Sequence, residues 1–436
     1  MNGMSVRDER TAGDAPRAPA REGSPARRDG VSRVERVSAR RPPTALGLYV
    51  HIPFCASRCP YCDFATAPVR SALRSRYLDA LDTEIRREGE RLEKPRVTTL
   101  FFGGGTPSLL EPVEVARLGV ALRESFDLRP AEASVEANPA TLDRARLEAW
   151  AALGITRLSL GAQSFSPIGL RALGRTHQPA DIAPAVAAAR SVGFDVNLDL
   201  IFGWPGQTDA AWQEDLAAAV ALAPDHLSCY PLELALEPEE AVANWPGAGW
   251  RSVERWRRRS AAAQPDDDGV ATLYELAEAF LGANAYRHYE IANWARPGKR
   301  CRHNLGYWRN GDWLGLGAGA HSHLAGVRSR NVGVLPAYIA AIDRDDERIV
   351  DATADAAVDG AMLALRLDEG LDLVRYGSRF GLAAASRVRN ALRTLDGTRL
   401  LRWSGERVRL TPRGRLLASE VFVRLLPDDV NFSASV

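Results

Sequence analysis

The sequence predicts an α/β protein built on a parallel β-sheet, either open or closed into a barrel, with a C-terminal α+β extension. Two observations support this prediction. Strand and helix patterns alternate through six strands between residues 46 and 230, and such alternation indicates parallel strands joined by crossover helices. After residue 350, three helical patterns and a hairpin pattern predict a winged-helix-like module.

The expected strands are short apolar runs, and a helical repeat of apolar residues separates each from the next. The expected strands cover residues 46–52, 97–102, 133–136, 157–160, 195–201 and 225–230. The expected helices cover residues 73–85, 112–125, 142–153, 182–192 and 210–222. Right-handed crossovers place the loops after the strands at one end of the sheet. Polar residues that follow different strands are therefore expected to converge there.

Beyond the sixth strand the pattern lapses into Pro, Gly, Trp and Arg over residues 236–268, and one helix is expected at 272–281. In the last segment, helices are expected at 362–367, 371–376 and 385–395, a hairpin at 399–403 and 407–411, and a final helix near Pro412. Scattered acidic residues favour packing or partner binding over DNA binding by this module.

Composition excludes several classes of function. The 436 residues carry 56 Lys and Arg against 55 Asp and Glu, so no overall basic field attracts nucleic acid or membrane. The sequence contains no apolar run that is long enough to predict a transmembrane helix. Residues 1–43 contain few large apolar side chains, and a disordered tail is expected there. With no secretory signal recognised, a cytoplasmic location is expected.

Three of the five cysteines fall within eight residues, at Cys55, Cys59 and Cys62. Three thiolates with this C-x3-C-x2-C spacing can each bind one iron of a 4Fe-4S cluster and leave the fourth iron open to a ligand. Structural zinc sites use paired Cys or paired Cys and His, and disulfides need an oxidising compartment. The spacing therefore favours a cluster.

The segment Tyr-Val-His-Ile-Pro-Phe-Cys that ends at Cys55 resembles the radical S-adenosylmethionine (SAM) superfamily. It is most similar to the branch of oxygen-independent coproporphyrinogen III dehydrogenases and HemW heme chaperones. The resemblance covers about residues 46–425 and implies a partial (β/α)6 barrel of the TIM type. In this superfamily SAM closes the open iron, and the reduced cluster can split it into a 5′-deoxyadenosyl radical.

The resemblance also implies SAM contacts at the ends of the strands. The implied residues are Tyr49, Gly104, Gly105, Thr106, Glu136, Gln163, Arg175 and Asp199. Glycines let the backbone approach a ligand, carboxylates accept hydrogen bonds from ribose, and a guanidinium pairs with a carboxylate. The alternatives are that the glycines only form a tight turn and that the polar groups only satisfy one another.

The motif His303-Asn-Leu-Gly-Tyr307-Trp308 is the second distinctive feature. Imidazole is a common axial ligand of heme iron, and aromatic rings offer flat apolar surface to a porphyrin. By itself a His beside aromatic residues is more often part of a core. The motif resembles the heme-binding motif H-N-x-x-Y-W of the heme chaperones, which implies that His303 binds heme iron.

Phe64 distinguishes the two branches of the family. The dehydrogenases carry a fourth cysteine two residues after the third, whereas this chain has Phe64, as the heme chaperones do. The resemblance therefore favours a heme chaperone without an assigned catalytic residue over a radical SAM dehydrogenase that decarboxylates coproporphyrinogen III. Cys229 is expected in the core, Cys301 is a weaker candidate for assisting heme, and His321-Ser-His323 is expected in a loop.

The expected organisation is a disordered tail at 1–43, a radical SAM barrel at 44–235, a connecting region with the heme motif at 236–350 and the winged-helix-like module at 351–428. The implied partners are heme and an acceptor hemoprotein, with respiratory-chain proteins as candidates, and the family suggests a homodimer. Peripheral contact with a membrane is compatible with the sequence. A radical SAM enzyme that modifies tRNA is a third class, but the charge balance shows no basic face for it.

Overall fold

The computed structural model describes residues 46–69, 71–234, 243–245, 250–352 and 355–426. The expected tail at 1–43 lies outside these residues. Of the boundaries expected between domains, those at 43/44 and 235/236 also lie outside them.

The chain forms seventeen strands within the described residues. They are β1 (Leu46–Ile52), β2 (Phe54–Cys55), β3 (Ala67–Pro68), β4 (Arg96–Gly104), β5 (Asp127–Ala137), β6 (Arg157–Gln163), β7 (Asp195–Phe202), β8 (His226–Pro231), β9 (Arg287–Glu290), β10 (Asn293–Ala295), β11 (Trp313–Leu316), β12 (His321–Leu324), β13 (Val327–Asn331), β14 (Arg348–Val350), β15 (Leu371–Asp372), β16 (Leu401–Ser404) and β17 (Arg407–Leu410).

Helices alternate with the central strands. They are α1 (Ser71–Arg91), α2 (Pro112–Ser125), α3 (Arg144–Leu153), α4 (Pro167–Ala172), α5 (Pro179–Ser191), α6 (Asp209–Ala221), α7 (Trp250–Ala261), α8 (Asp267–Ala283), α9 (Arg302–Trp308), α10 (Leu335–Ile342), α11 (Ala356–Arg366), α12 (Leu373–Phe380), α13 (Leu382–Arg393), α14 (Pro412–Leu416) and α15 (Ala418–Val423). Two single 3₁₀ turns cover Pro107–Leu109 and Pro139–Thr141.

The main sheet has the strand order β14-β13-β12-β11-β1-β4-β5-β6-β7-β8-β10-β9. Its centre, from β1 through β4, β5, β6 and β7 to β8, is parallel throughout. The predicted α/β class is thereby confirmed, and the sequential order of parallel strands is consistent with a partial barrel. The carboxyl ends of six strands meet at one edge, where the loops that carry the site begin.

Local sequence explains why these elements form. Helix α2 begins with a proline at its first position and a capping box between Glu111 and Glu114, which together satisfy and preorganise the first turn. Asp143 and Thr208 accept backbone N–H groups at the starts of α3 and α6. Apolar side chains of the central strands and of the inner helix faces, including the buried rings of Trp150 and Trp212, fill one large core.

The structure adds elements that the sequence did not predict. Helix α7 lies where an irregular segment was expected, and α4 follows β6 directly. The expected loop at His321-Ser-His323 is wrong, because these residues lie in strand β12. The neighbouring glycines instead shape the turn before this strand, since Gly317 and Gly319 have φ angles of 97° and 70°, which glycine adopts without strain.

The C-terminal segment has a hydrophobic core of its own, built from helices α11, α12 and α13 and a small sheet of order β15-β17-β16. The predicted three helices and hairpin are present. Among the described helices, none is both long and apolar enough to cross a lipid bilayer.

Candidate functional site

The three clustered cysteines lie on a loop at the carboxyl edge of the sheet. Its two ends pair with each other through β2 and β3, with the amide of Val69 donating to the carbonyl of Cys55 at 3.3 Å. The amide of Cys62 donates to the carbonyl of Cys59 at 3.1 Å, which folds the middle of the loop into a turn. All three thiols are free and half-buried, and they line one cavity of about 560 Å³.

Burial controls the protonation of two of these thiols. It raises the pKa of Cys55 to about 11 and that of Cys62 to about 12, so both are protonated at neutral pH in the metal-free protein. Binding of iron must then release protons. Within the described part of the chain, no three His, Cys, Asp or Glu side chains are grouped to hold a single metal ion. A cluster differs, because each cysteine binds a separate iron.

The end of β4 packs closely against the cysteine loop, and this packing requires glycine. Gly104 has a φ of 113°, and a Cβ there would lie 2.4 Å from the ring of His51. A Cβ on Gly105 would lie 2.6 Å from the backbone of Pro53. Next along the chain, the hydroxyl of Thr106 lies 3.5 Å from Sγ of Cys55. The glycines therefore bring backbone to the wall of the cavity beside the thiols.

Two carboxylates from different strands face the same cavity. Glu136, at the end of β5, accepts the amide of Gly104 at 2.9 Å, and burial together with the charge of Asp199 raises its pKa to about 7. Asp199, in β7, accepts the hydroxyl of Ser159 at 2.9 Å and the amide of Asn197 at 2.8 Å. Burial raises the pKa of Asp199 as well. Each carboxylate is fixed in position by a neighbouring donor.

Gln163 and Arg175 complete this cavity. Gln163 ends β6 with a φ of 62°, a strained value for a residue with a side chain and one that often marks a ligand site. Arg175 donates to Sγ of Cys59 at 3.4 Å and to the carbonyl of Gly161 at 3.0 Å. Its Nε is buried and has no hydrogen-bond partner within the described residues. This guanidinium retains capacity for an anionic ligand.

Ser159, Asn197 and Tyr230 also line the cavities, although sequence analysis did not select them as binding residues. The first two are polar residues within mainly apolar strands, and Tyr230 ends the sixth predicted strand; these were the signals available in the sequence. Asn197 links Ser159 and Asp199 through its side-chain amide, at 2.7 and 2.8 Å. The polar row across β6 and β7 therefore orients the carboxylate.

His303 lies on the short helix α9, and a buried carboxylate fixes the start of this helix. One oxygen of Glu132 accepts the amides of Arg302 and His303 at 2.9 and 3.2 Å. The imidazole is buried: its Nδ1 lies 2.9 Å from the hydroxyl of Thr99 and its Nε2 lies 2.7 Å from the hydroxyl of Tyr307. Burial lowers the pKa of His303 to about 3, so the ring is neutral at physiological pH.

His303 and Tyr307 line a second cavity of about 250 Å³, which adjoins the first and shares Gly104, Glu136 and Asp199 with it. Tyr49 and Cys301 also line it. The hydroxyl of Tyr49 lies 2.9 Å from Nδ1 of His51, and Sγ of Cys301 donates to Glu132 at 3.3 Å. The structure thus brings His303, Tyr307 and Tyr49 beside the residues of the first cavity.

Trp308 lies elsewhere. Its ring packs against a cluster that includes Tyr289 and Leu367, and the guanidinium of Arg366 lies 4.5 Å from the ring centre. It does not line either cavity. Phe64, in contrast, lines both cavities, and its side chain is 58% exposed. The aromatic rings that contact His303 are instead those of Tyr307 and Phe101, whose centroids lie 4.7 and 5.2 Å from that of the imidazole.

Comparison with known protein families assigns two parts of the chain. Residues 49–219 match the radical SAM superfamily. Residues 354–417 match the HemN C-terminal domain. The first match contains the three clustered cysteines and all the strands from β4 to β7, and the second lies within the C-terminal core.

Several curated relatives carry the name heme chaperone HemW. The protein of Mycobacterium tuberculosis (strain H37Rv) is 41% identical over 397 residues, which cover 89% of this chain and 96% of the relative. That of Bacillus subtilis (strain 168) is 33% identical, covering 86% and 97%. Among solved structures, coproporphyrinogen III oxidase (HemN) from Escherichia coli, described as a radical SAM enzyme, superposes with a TM-score of 0.77 at 26% identity, covering 89% of this chain and 91% of that one.

Proposed function

This chain belongs to the heme chaperone HemW family of radical SAM proteins, and we propose that it binds a 4Fe-4S cluster, SAM and heme and delivers the heme to other hemoproteins. One observation carries the proposal. The three free thiols, the glycine segment and the two carboxylates line one cavity, and that cavity adjoins the one lined by His303.

The residues fit the cluster and SAM. Cys55, Cys59 and Cys62 would hold three irons, and a bound cluster would supply an open iron for SAM and an electron for its cleavage. The cavity of about 560 Å³ lies within the range of about 300 to 1,000 Å³ usual for small-molecule sites. The thiol ligands also need a reducing compartment, and we place the protein in the cytoplasm on this ground.

The remaining polar groups suit different parts of SAM. Glu136 and Asp199 accept hydrogen bonds and suit ribose hydroxyls, whereas Arg175 suits the carboxylate of the methionine moiety. The unpaired Nε of Arg175 supports this assignment. We assign the backbone of Gly104, Gly105 and Thr106 to the amino group of SAM, and we add Gln163 to the cavity wall. Tyr49, which the resemblance also implied for SAM, lines the adjoining cavity of His303 instead.

Heme is the cargo, and we propose His303 as its iron ligand. The neutral imidazole suits a metal, but both ring nitrogens are bonded in this conformation. The adjoining cavity of about 250 Å³ is below the range of about 300 to 1,000 Å³ for small-molecule sites. Loading of heme therefore requires Tyr307 to leave Nε2 and the cavity to open.

Radical decarboxylation of coproporphyrinogen III is the alternative function. The structural likeness to the Escherichia coli oxidase favours it, and so does the cavity with three cysteines. Phe64, where the dehydrogenases carry a fourth cysteine, argues against it. We therefore propose the chaperone function first. The acceptor would be a hemoprotein, and respiratory-chain proteins are the candidates. We further propose that the chaperone assembles as a homodimer.

The test is an anaerobic titration of hemin into cluster-reconstituted protein, followed by the Soret absorption. We expect stoichiometric binding by the native chain and weaker binding by His303→Ala. His288→Ala is a matched control, because His288 is also largely buried and neutral but lines neither cavity. Binding indifferent to His303 would refute the assigned ligand. Formation of a vinyl product from coproporphyrinogen III, with consumption of SAM, would favour the enzymatic alternative.

A further inference from the structure

An arginine-lined pocket of about 540 Å³ lies outside the site described above. Its guanidinium groups belong to Arg287, Arg296, Arg300, Arg302 and Arg309. Among the described residues that line it, none is acidic. Ala295, Pro297, Gly298 and Leu305 supply the rest of the lining. Five positive side chains around one cavity repel one another, and a bound anion would relieve this repulsion.

The pocket lies toward the amino end of β8, away from the cysteine loop. Ala295 pairs with His226, the first residue of β8, whereas Pro231, its last residue, lines the cavity of the cysteines. The arginine pocket shares no lining residue with either cavity of the candidate site. It is therefore a separate feature, and the inference below does not depend on the proposed function.

Hydrogen bonds and an ion pair with the central strands anchor the loop that carries Arg296 and Arg300. The amide of Arg296 donates to the carbonyl of Asp225 at 3.0 Å. The buried guanidinium of Arg157 donates to the carbonyl of Lys299 at 3.0 Å, and the ammonium group of Lys299 pairs with Asp195. A loop anchored in this way loses less conformational entropy when a ligand binds.

Only one carboxylate among the described residues pairs with an arginine of the pocket. Arg309 pairs with Glu369 at 2.9 Å, and the pKa of that carboxyl is lowered by Arg309 and by the charge of Arg300. Within the described part of the chain, Arg287, Arg296, Arg300 and Arg302 form no ion pair. Arg296 contacts the hydroxyl of Tyr286 at 3.4 Å, and Arg300 lies over the ring of Tyr289. Both contacts leave guanidinium N–H groups for an anion.

We propose that this pocket binds a soluble ligand with two or more phosphate groups. A phosphate group offers three acceptor oxygens and up to two charges, and planar guanidiniums match it with paired hydrogen bonds. One carboxylate occupies a single guanidinium, so the four arginines without an ion pair exceed what a simple carboxylic acid would use. Among the described residues, none of the exposed large apolar side chains lines the pocket, which disfavours a site built to insert into a membrane.

The test uses pyrophosphate as the probe and isothermal titration calorimetry of the full chain. We expect saturable binding, weakened about tenfold by Arg300→Gln and by Arg302→Gln, because each removes a charged hydrogen-bond donor. Arg144→Gln is the control, since it removes the same charge from an exposed residue outside the pocket. Thermal unfolding of each variant checks that the fold is unchanged.

Three further probes separate the sources of phosphate and the type of anion. Weaker binding of inorganic phosphate and citrate than of pyrophosphate supports a site for several phosphate groups. Citrate binding as tight as pyrophosphate, or equal weakening by Arg144→Gln, would overturn the proposal in favour of general charge attraction. Binding only to vesicles of phosphatidylcholine and phosphatidic acid would overturn it in favour of a membrane surface, and absence of binding to all probes would overturn it outright.

Discussion

The hydroxyl of Tyr307 lies 2.7 Å from Nε2 of His303, one helical turn earlier on α9. Residues four apart share one face of a helix, so the Tyr307 side chain lies over the imidazole of His303 and hydrogen-bonds its Nε2. Because Nδ1 contacts Thr99, neither ring nitrogen is open in this conformation. In the proposed heme complex, Tyr307 must release Nε2 before His303 can bind iron.

Tyr307→Phe should therefore strengthen hemin binding. The substitution removes the hydroxyl that competes for Nε2, and a net hydrogen bond of about 1 kcal/mol corresponds to roughly fivefold in affinity. Soret titrations of the variant and the native chain measure this. Tyr376→Phe is the control, because its hydroxyl bonds the carbonyl of Ala357 in the C-terminal core. Weaker binding by Tyr307→Phe would instead mean that the phenol itself contacts the bound heme.

The cluster prediction concerns iron content. Replacement of Cys55, Cys59 or Cys62 by Ser should abolish the incorporation of about four irons per chain after anaerobic reconstitution, because each thiolate binds a separate iron. Iron and sulfide analysis and visible absorption measure the loss. Cys229→Ala should retain the cluster, since Cys229 is buried in the main core. Full iron content in any of the three Ser variants would exclude that cysteine as a ligand.

Glu132 is predicted to stabilise both the fold and the helix of His303. It forms a buried ion pair with Arg157 at 3.1 Å and accepts two amides of α9. Glu132→Ala should lower the free energy of unfolding by about 3 to 5 kcal/mol, because it leaves a buried guanidinium unpaired. Urea unfolding measures this.

Glu148→Ala is the matched control for Glu132→Ala. It removes an exposed ion pair with Arg144 and should change stability by less than about 1 kcal/mol. Similar losses in the two variants would contradict the role of Glu132. A loss of hemin affinity in Glu132→Ala, at a temperature where the variant is fully folded, would show in addition that this carboxylate positions His303.

The sequence predicts the central strands and helices well because their signals are local. Apolar runs and helical repeats exist within each segment, and helix α2 has the predicted bounds. Strands β12 to β14 were missed because they are short and carry little apolar sequence, as in Val327–Asn331, and because they are held by antiparallel backbone pairing with neighbouring strands. A strand of four residues that is stabilised by such contacts carries little signal of its own.

The candidate site was predictable to the extent that strand order determines it. Residues after different parallel strands converge because the carboxyl ends of the strands meet at one edge, and Glu136, Gln163 and Asp199 line one cavity. The position of Trp308 next to Tyr307 in the sequence motif did not predict where its side chain lies. Successive helical residues point about 100° apart, so Trp308 faces away from the cavity that Tyr307 lines.

Glu84 gives a prediction on pH. Burial raises the pKa of this carboxyl from 4.5 to about 7. Between these values the folded state binds a proton that the unfolded state does not, so the free energy of unfolding falls as pH rises. Glu84→Gln cannot titrate and should flatten this part of the profile.

Urea unfolding from pH 5 to pH 8 tests the Glu84 prediction. Buried histidines such as His303 act in the opposite direction, but they are common to both chains, and the difference between the two profiles isolates Glu84. Glu124→Gln, at an exposed ion pair, should leave the profile unchanged. Parallel profiles for the native chain and Glu84→Gln would show that Glu84 has an ordinary pKa.

Gly104 should tolerate no side chain, because two separate effects act there. Its φ of 113° disfavours any residue with a Cβ, and that Cβ would lie 2.4 Å from the ring of His51. Gly154 has a similar φ of 107° but no atom within 4 Å of its Cβ position. Gly154→Ala should therefore cost only the backbone strain, about 1 to 3 kcal/mol.

Gly104→Ala should cost this strain and should also displace His51. The cysteine loop would move as well, because Nε2 of His51 lies 3.0 Å from the carbonyl oxygen of Ala65 in that loop. The excess loss of stability over Gly154→Ala, measured by urea unfolding, isolates the effect of close packing. SAM binding to the reconstituted protein should be lost in Gly104→Ala and kept in Gly154→Ala, because only Gly104 lines the cavity. Equal stability losses with SAM binding intact would mean that the end of β4 relaxes and that its glycines serve only the turn.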